Sequence, residues 1–419
     1  MSKFDPTATA GFFGHPKGLS TLFFTEMWER FSYYGMRAIL VLFMTTETAQ
    51  EGLGLTTETS GAIYGLYTAG VYLLTLPGGW LADNIFGQRR AIWYGGILIM
   101  IGHLILAIPG SPSIFFVGLA FVACGTGLLK PNISTIVGDL YPEGGARRDA
   151  GFSLFYMGIN LGSFLGQTFV ALIGEKVNWH YGFGLAAIGM LIGLIQFRVT
   201  QGNLGDIGLT PKASEDTESG SGNMRLGLGL LFALLALMAG LQYLEYIDLF
   251  TAVGFASAVG IVIVTVTIFY FIYIIVAGGL TLEEKKKVAV IFLLFVGAAI
   301  FWSGFEQAGS SLNLFARDHT DRFLFGWELP AGWLQNFNPA FIIILAPIIG
   351  SLWIKLAARN MNPATPVKFA IGLIFMALGF LVMFFAAQIV TAGAKAGMGW
   401  LIITYLLHST GELALSPVG

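Results

Sequence analysis

The chain has 419 residues, 55% of them hydrophobic and only 11% charged, with a mean hydropathy of +0.75. A water-soluble protein carries about 25% charged residues over its surface, so this composition excludes a soluble globular enzyme and points the outer surface at lipid. The net charge of −2 excludes a basic field for nucleic acid, and the single cysteine, Cys124, excludes a disulfide within the chain.

Residues 1–17 are polar and rich in Gly and Pro. They have no basic stretch leading into a short apolar core and cleavage site, so they read as a cytoplasmic segment and not as a cleaved signal peptide. A spanning helix takes about 20 mostly apolar residues. Such segments are predicted at 18–46, 58–82, 91–108, 113–138, 150–173, 181–199, 226–244, 251–279, 288–314, 333–357, 367–391 and 398–419. Turn chemistry separates them, as in PGSPS at 109–113 and YPEGGARRD at 141–149. The most polar break, 200–225, is rich in Ser, Gly, Asp and Glu and reads as a flexible cytoplasmic linker. The expectation is an all-α polytopic membrane protein. Its parts are a bundle at 18–199, the linker, an inserted helix pair at 226–287 and a second bundle at 288–419.

With the N-terminus placed in the cytoplasm, Lys3, Lys17, Arg89, Arg90, Arg147, Arg148, Arg198, Lys212, Arg225, Lys285, Lys286, Lys287, Lys355, Arg359 and Lys368 fall on the inner side. Only Lys176, Arg317, Arg322 and Lys395 fall outside. That bias fixes the orientation and agrees with the number of crossings.

Three cations remain inside spans, and they carry the chemistry. The first span contains TEMWERFSYYGMR, beginning at Thr25. Positions 26, 30, 33 and 37 step by four, three and four, which puts Glu26, Arg30, Tyr33 and Arg37 on one helical stripe with Glu29 at its edge. Ionisable groups in a span face a cavity or a partner and mark function. At about 1.5 Å per residue, Arg37 lies about 28 Å from the start of its span, and Glu306 lies at a similar depth in its own. The two could meet across the halves near the outer side. Lys130, followed by Pro131, matches the depth of Glu26 and Glu29. Glu412 is an acid in a span with no basic residue. A carboxylate that alternates between a cation and isolation is a proton switch, which fits ion-coupled transport. No metal-binding HExxH spacing, nucleophile elbow or phosphate loop occurs, so neither a metal, a cofactor nor an enzyme is expected.

These residues sit in strings that resemble the proton-dependent oligopeptide transporter family of the major facilitator superfamily. They are ExxERFxYYG from Glu26 to Gly35, GGWLADNIFGQRR ending at Arg90, GTGLLKPNIS, FYMGINLGSFLGQ, FWSGFEQAGSSL, LQNFNPAF and GELALSPVG. The resemblance covers most of the chain. It implies two six-helix bundles with an inserted helix pair, and import of di- and tripeptides with protons, by alternating access, through the inner membrane of a bacterium. By motif position it implies proton coupling by Glu26, Glu29, Arg30, Lys130 and Glu306. Arg37 and Lys130 would receive the peptide carboxylate, and Tyr33, Tyr34, Tyr72, Asn160 and Asn338 would line the pocket. Trp302 would wall a side-chain pocket, Glu306 would pair with Arg37 as an outer gate, and Glu412 would hold the ammonium beside Ser416. Asp83, Arg89 and Arg90 would clamp cytoplasmic helix ends. The family pattern also has further helices after GELALSPVG, so the C-terminal bundle is expected to be incomplete here. Two alternatives stay open: a carrier of nitrate, a drug or another solute on the same scaffold, and a truncated or non-transporting membrane protein.

Overall fold

The computed structural model describes residues 11–211, 236 and 238–415. Ser416 and most of the predicted span 226–244 lie outside them. The first half comprises α1 (Lys17–Thr45), α2 (Thr57–Leu73), α3 (Thr75–Leu81), α4 (Gln88–Leu106), α5 (Pro112–Asp139), α6 (Gly145–Lys176) and α7 (Trp179–Thr200). Next comes α8 (Ala252–Ala277), in the inserted region, and then α9 (Leu282–Phe305), α10 (Ser311–Asp318), α11 (Phe337–Ala358), α12 (Thr365–Thr391) and α13 (Gly399–Leu415). Eight helical segments among the described residues are long and apolar enough to cross a membrane. The protein is a multi-pass membrane protein. α1 falls outside that set because of its own charges, and α2 and α13 are 17 residues each.

Local chemistry sets several boundaries away from the sequence expectation. The predicted span 58–82 is two helices, α2 and α3, broken at Leu74. Pro77 has no N–H for the carbonyl four residues earlier, and its ring crowds that carbonyl. The predicted span 288–314 begins earlier, at Leu282, because Thr281 and Glu284 form a reciprocal cap. It is also interrupted: a 3₁₀ turn at Glu306–Gly309 separates α9 from α10. α5 continues through Pro131 without interruption.

The expected linker is partly ordered. Gln201–Leu204 forms a 3₁₀ turn, and Leu204 is fully buried. Arg89 donates from Nη2 to Gly205 O (2.5 Å), and its backbone N–H donates to Gly208 O (2.9 Å). The segment to 211 is therefore strapped across the end of the bundle that carries Lys17 and Arg89, here called the basic end. The opposite end carries Glu175.

α1 runs through the middle of the first half and is buried along nearly its whole length. It lies directly on α6, where glycines allow the backbones to touch. A Cβ at Gly162 would run into the Met27 carbonyl oxygen, and one at Gly166 into that of Phe31. Small residues serve membrane helix contacts in this way because lipid supplies no hydrophobic drive between helices. α8 has a mean hydropathy of 2.7 over its most apolar stretch, with none of that stretch buried. It packs on α2 and, through Phe271, on Phe292 and Phe295 of α9.

The hydrogen bonds that tie the halves together cluster at the Glu175 end. The Glu175 carboxylate accepts from the backbone N–H groups of Ala331 (2.7 Å) and Gly332 (2.8 Å), at the start of a 3₁₀ turn, Ala331–Asn336. Trp333 Nε1 donates to Thr168 O (2.8 Å), Asn313 Nδ2 to Ala38 O (2.7 Å) and Arg317 Nη1 to Thr45 Oγ1 (2.7 Å).

The α1–α6 contact makes a direct prediction. Gly162→Val should destabilise the protein by about 1–3 kcal/mol through overpacking, read as a lowered thermal unfolding midpoint in detergent. An unchanged midpoint would mean that the two backbones do not need their close approach.

Candidate functional site

A cavity of about 220 Å³ lies between the halves. Its wall on the first half is the charged stripe of α1, joined by α2, α5 and α6. The facing wall is built from the α9 end, the 3₁₀ turn, α11 and α13.

On α1, Arg30 is gripped by two acids. Its Nε donates to Glu26 Oε1 at 2.7 Å and lies 2.9 Å from Glu29 Oε2, a charge contact without hydrogen-bond alignment. Glu26, Glu29 and Arg30 are 2%, 0% and 4% exposed, so the arginine is buried against its own helix's acids with one carboxyl in excess. Glu26 and Arg30 face the cavity, whereas Glu29 and Tyr33 stand behind its lining. Tyr33 instead packs edge-on against Tyr34 and carries the Arg30 guanidinium over its ring at 5.5 Å. Among the described residues Arg30 Nη2 is buried without a partner.

Lys130 lines the cavity, but among the described residues it makes no ion pair with Glu26 or Glu29. Its Nζ sits 4.0 Å from the centroid of the Tyr72 ring, a cation–π contact. Helical depth brought lysine and acids to the same cavity but could not say which neighbour the flexible stem would choose.

Toward the Glu175 end, Arg37 Nη2 stands 2.8 Å from Glu306 Oε2. Tyr64 Oη donates to the same oxygen (3.2 Å) and to the Glu306 carbonyl (3.3 Å). The Arg37 guanidinium also lies over the rings of Tyr34 and Tyr64, at 5.6 and 5.7 Å. Gly309 in the 3₁₀ break makes room for this cluster, since a Cβ there would run into Tyr64 Oη. Arg37 Nε, like Arg30 Nη2, is a buried donor without an acceptor among the described residues.

On the facing wall Glu412 is 8% exposed. Its Oε1 accepts from Tyr156 Oη (3.1 Å) and its Oε2 from Asn338 Nδ2 (3.2 Å). Among the described residues it has no cation. Asn338 Nδ2 also donates to Ser409 Oγ (2.9 Å), and Asn160 Nδ2 to Tyr156 O (3.0 Å). Trp302 lines the cavity with its ring edge-on to Phe301 and Phe305. The arrangement offers spare cationic donors on one wall and an anion without a countercharge on the other, which suits a solute charged at both ends.

Asp83, Arg89 and Arg90 lie away from this cavity. Asp83 sits in a wide turn, Ala82–Phe86, and among the described residues makes no ion pair with either arginine. Arg89 instead holds the carbonyls of Gly205 and Gly208 through its side chain and backbone, respectively. Among the described residues no group of three or more His, Cys, Asp or Glu could hold a metal.

Several lining residues were missed from sequence, namely Tyr156, Ser163, Gln167, Gln335, Tyr405 and His408, as was Tyr64, which holds Glu306 from behind the lining. The signal existed in part. Tyr156, Asn160, Ser163 and Gln167 repeat the four-three-four step of α1, and Tyr405, His408 and Glu412 step by three and four. Neutral polar residues at helical spacing are easily taken for packing.

If Arg37 and Glu306 act on each other, Arg37→Gln and Glu306→Gln should couple by about 1–3 kcal/mol in a double-mutant cycle read by thermal unfolding in detergent. Strictly additive losses would deny the contact any energetic weight.

Comparison with known proteins places these features. A profile described as PTR2, POT family, matches residues 89–419. An uncharacterized transporter, YclF, of Bacillus subtilis (strain 168) is 45% identical over 411 residues, covering 98% of this chain and 81% of that protein. The peptide transporter YePEPT of Yersinia enterocolitica is 43% identical, covering 97% of this chain and 81% of the relative. A crystal structure of a mutant of peptide transporter POT in complex with alafosfalin superposes with a TM-score of 0.86 at 45% identity, covering 98% of this chain and 82% of the other. The chain belongs to the POT family and has its major facilitator fold.

Proposed function

We propose that the protein is a proton-coupled symporter that imports di- and tripeptides by alternating access through the inner membrane of a bacterium. The observation that carries this reading is the charge layout of the cavity between the halves. Among the described residues Arg30 and Arg37 keep buried donors free, Lys130 has no carboxylate, and Glu412 faces them without a cation. A peptide is a zwitterion that supplies both missing charges. Its carboxylate would lie on Arg37 and Lys130, and its ammonium on Glu412. Tyr34, Tyr72, Asn160, Asn338 and Trp302 would shape the space between, with Tyr33 supporting from behind. Ser416 would lie beside the ammonium.

The basic end takes the cytoplasmic side, since short inner loops collect Lys and Arg, and the N-terminus with it. The Glu175 end then faces out. The halves, 18–199 and 288–419, would rock about the cavity, with 226–287 as an inserted pair. The seam through Arg37–Glu306 and Glu175 would be closed in the conformation described here. Opening it costs the Arg37 ion pair, and a proton or a peptide carboxylate would offset that loss. Glu26 and Glu29 would take up the proton, releasing Arg30 toward the substrate.

Two experiments test the roles. Glu29→Gln keeps size and hydrogen bonding but cannot bind a proton. It should abolish gradient-driven dipeptide uptake while leaving counterflow exchange measurable, and full gradient-driven uptake would remove Glu29 from coupling. A charge-assisted hydrogen bond contributes about 1.5–3 kcal/mol, or about 10- to 100-fold in affinity. Glu412→Gln should therefore weaken dialanine by about that factor and N-acetyl-dialanine far less, in competition at fixed pH. Equal losses would mean that Glu412 does not read the ammonium.

A further inference from the structure

A second hollow, apart from the central cavity, lies on the flank of the molecule toward the Glu175 end. It has a volume of about 490 Å³ and is walled by both halves. Phe164 and Thr168 of α6 form one side, and Trp333, Phe337 and Ile402 the other, with Leu324 adding to the lining. Phe164 is 38% and Leu324 46% exposed, so the hollow opens to the surface. Its depth is that of hydrocarbon. At about 1.5 Å per residue, Phe164 and Thr168 stand about 18 and 12 Å short of the α6 end at Lys176, and the apolar core of a bilayer is about 30 Å thick. The three helices around it expose Phe169, Ile344 and Ile403, which continue the apolar surface.

Water does not suit this hollow. Thr168 Oγ1 donates to Phe164 O (2.7 Å) and accepts from Asn336 Nδ2 (2.9 Å), and Trp333 Nε1 donates to Thr168 O (2.8 Å). Of the polar side-chain atoms in the lining, that leaves Asn336 Oδ1, buried without a partner among the described residues. A bound water takes about two to four polar partners. A void forfeits the dispersion contacts of its walls. Lipid gives apolar surfaces no hydrophobic drive toward each other, so a hollow at this depth is filled by whichever chain packs it.

The neighbouring loop points the same way. Phe323–Leu324 pairs antiparallel with Trp327–Glu328, and the two residues between them, Phe325 and Gly326, have φ of 52° and 80°. Such a pair suits a tight hairpin turn, but the left-handed region favours Gly, Asn or Asp and strains a phenylalanine. Phe325 is nonetheless 100% exposed, beside exposed Phe323, Leu324 and Trp327. In water this tip gains nothing for its strain. In the membrane interface, where amphipathic rings collect, it is covered. The Trp327 ring packs edge-on against Trp333, 5.4 Å between centroids, and so ties the tip to the hollow.

We propose that an acyl chain of a membrane phospholipid occupies this hollow, in the leaflet at the Glu175 end, with the aromatic hairpin lying in the headgroup region beside it. Because both halves make the hollow, the chain wedges the closed seam and is displaced when that seam opens. The site does not depend on what the central cavity carries.

The test is photolabelling of the whole protein in proteoliposomes with phosphatidylglycerol that carries a diazirine at mid-chain, mapped by mass spectrometry of peptides. α8, whose most apolar stretch has none of its residues buried, reports ordinary contact with lipid. Residues 164–168 and 333–340 should be labelled several-fold more strongly than α8. Ala340→Phe fills the hollow from its own wall and should bring that ratio toward one while labelling of α8 holds. Should that variant not fold, Leu324→Ser, on the exposed hairpin, should lower the ratio partly. Labelling no stronger than that of α8, or unchanged in the folded variants, would leave ordinary lipid contact only and overturn the site. Preferential labelling by a diazirine fatty acid that phosphatidylglycerol does not displace would give the hollow to a different ligand and overturn it as well.

Discussion

A charge inside a membrane is tolerable only where an opposite charge, a hydrogen bond or trapped water meets it. In this protein that constraint centres on Arg30, held by Glu26 and Glu29 in a helix that is otherwise among the most buried elements. The rest of the first half follows from hiding that cluster. α6 must press against α1, so glycines stand at 162 and 166. Aromatic faces must take whatever charge is not ion-paired, so Tyr33, Tyr34, Tyr64 and Tyr72 stand under Arg30, Arg37 and Lys130. The cavity exists because the partners supplied by the protein are fewer than the charges require.

The two halves solve the problem unequally. The first half holds the cations and the second half an acid steadied by neutral donors, Tyr156 from across the cavity and Asn338 from its own side. The Tyr156 bond and the Arg37–Glu306 pair are therefore polar links that cross the binding space itself. Further out, the seam changes character: Glu175 meets backbone N–H groups, and Trp333, Asn313 and Arg317 meet carbonyl or hydroxyl oxygens. Contacts of this kind each contribute modestly. They can be broken in turn, which suits a joint that must open.

Much of this was legible in the sequence because membrane constraints are strong. A run of apolar residues must be a helix, Lys and Arg sort by side, and an acid or base in a span stands out from its surroundings. The meeting of Arg37 with Glu306 could be reached by counting residues from the ends of their spans. The helix break at Glu306–Gly309 could not, since nothing in FWSGFEQAGSSL forbids a continuous helix. Lys130 was placed in the right cavity but not on Tyr72, because a four-carbon stem reaches several neighbours. The order of residues 201–211 was hidden by a polar composition that suits a loose linker equally well, until Arg89 is seen to gather its carbonyls. Gln167 and Gln335 were invisible for a related reason: a neutral polar residue announces nothing until the cavity it lines can be seen.

The central claim is that one cavity binds a peptide zwitterion and couples its passage to a proton. The measurement that reaches it most directly is uptake into proteoliposomes of purified protein, with labelled dialanine, nitrate and a cationic dye offered in turn under an imposed pH gradient. The account predicts that an acidic exterior drives accumulation of dialanine, that collapsing the gradient with a protonophore stops it, and that nitrate and the dye neither accumulate nor compete. Dialanine uptake indifferent to the gradient, or accumulation of nitrate in its place, would contradict it.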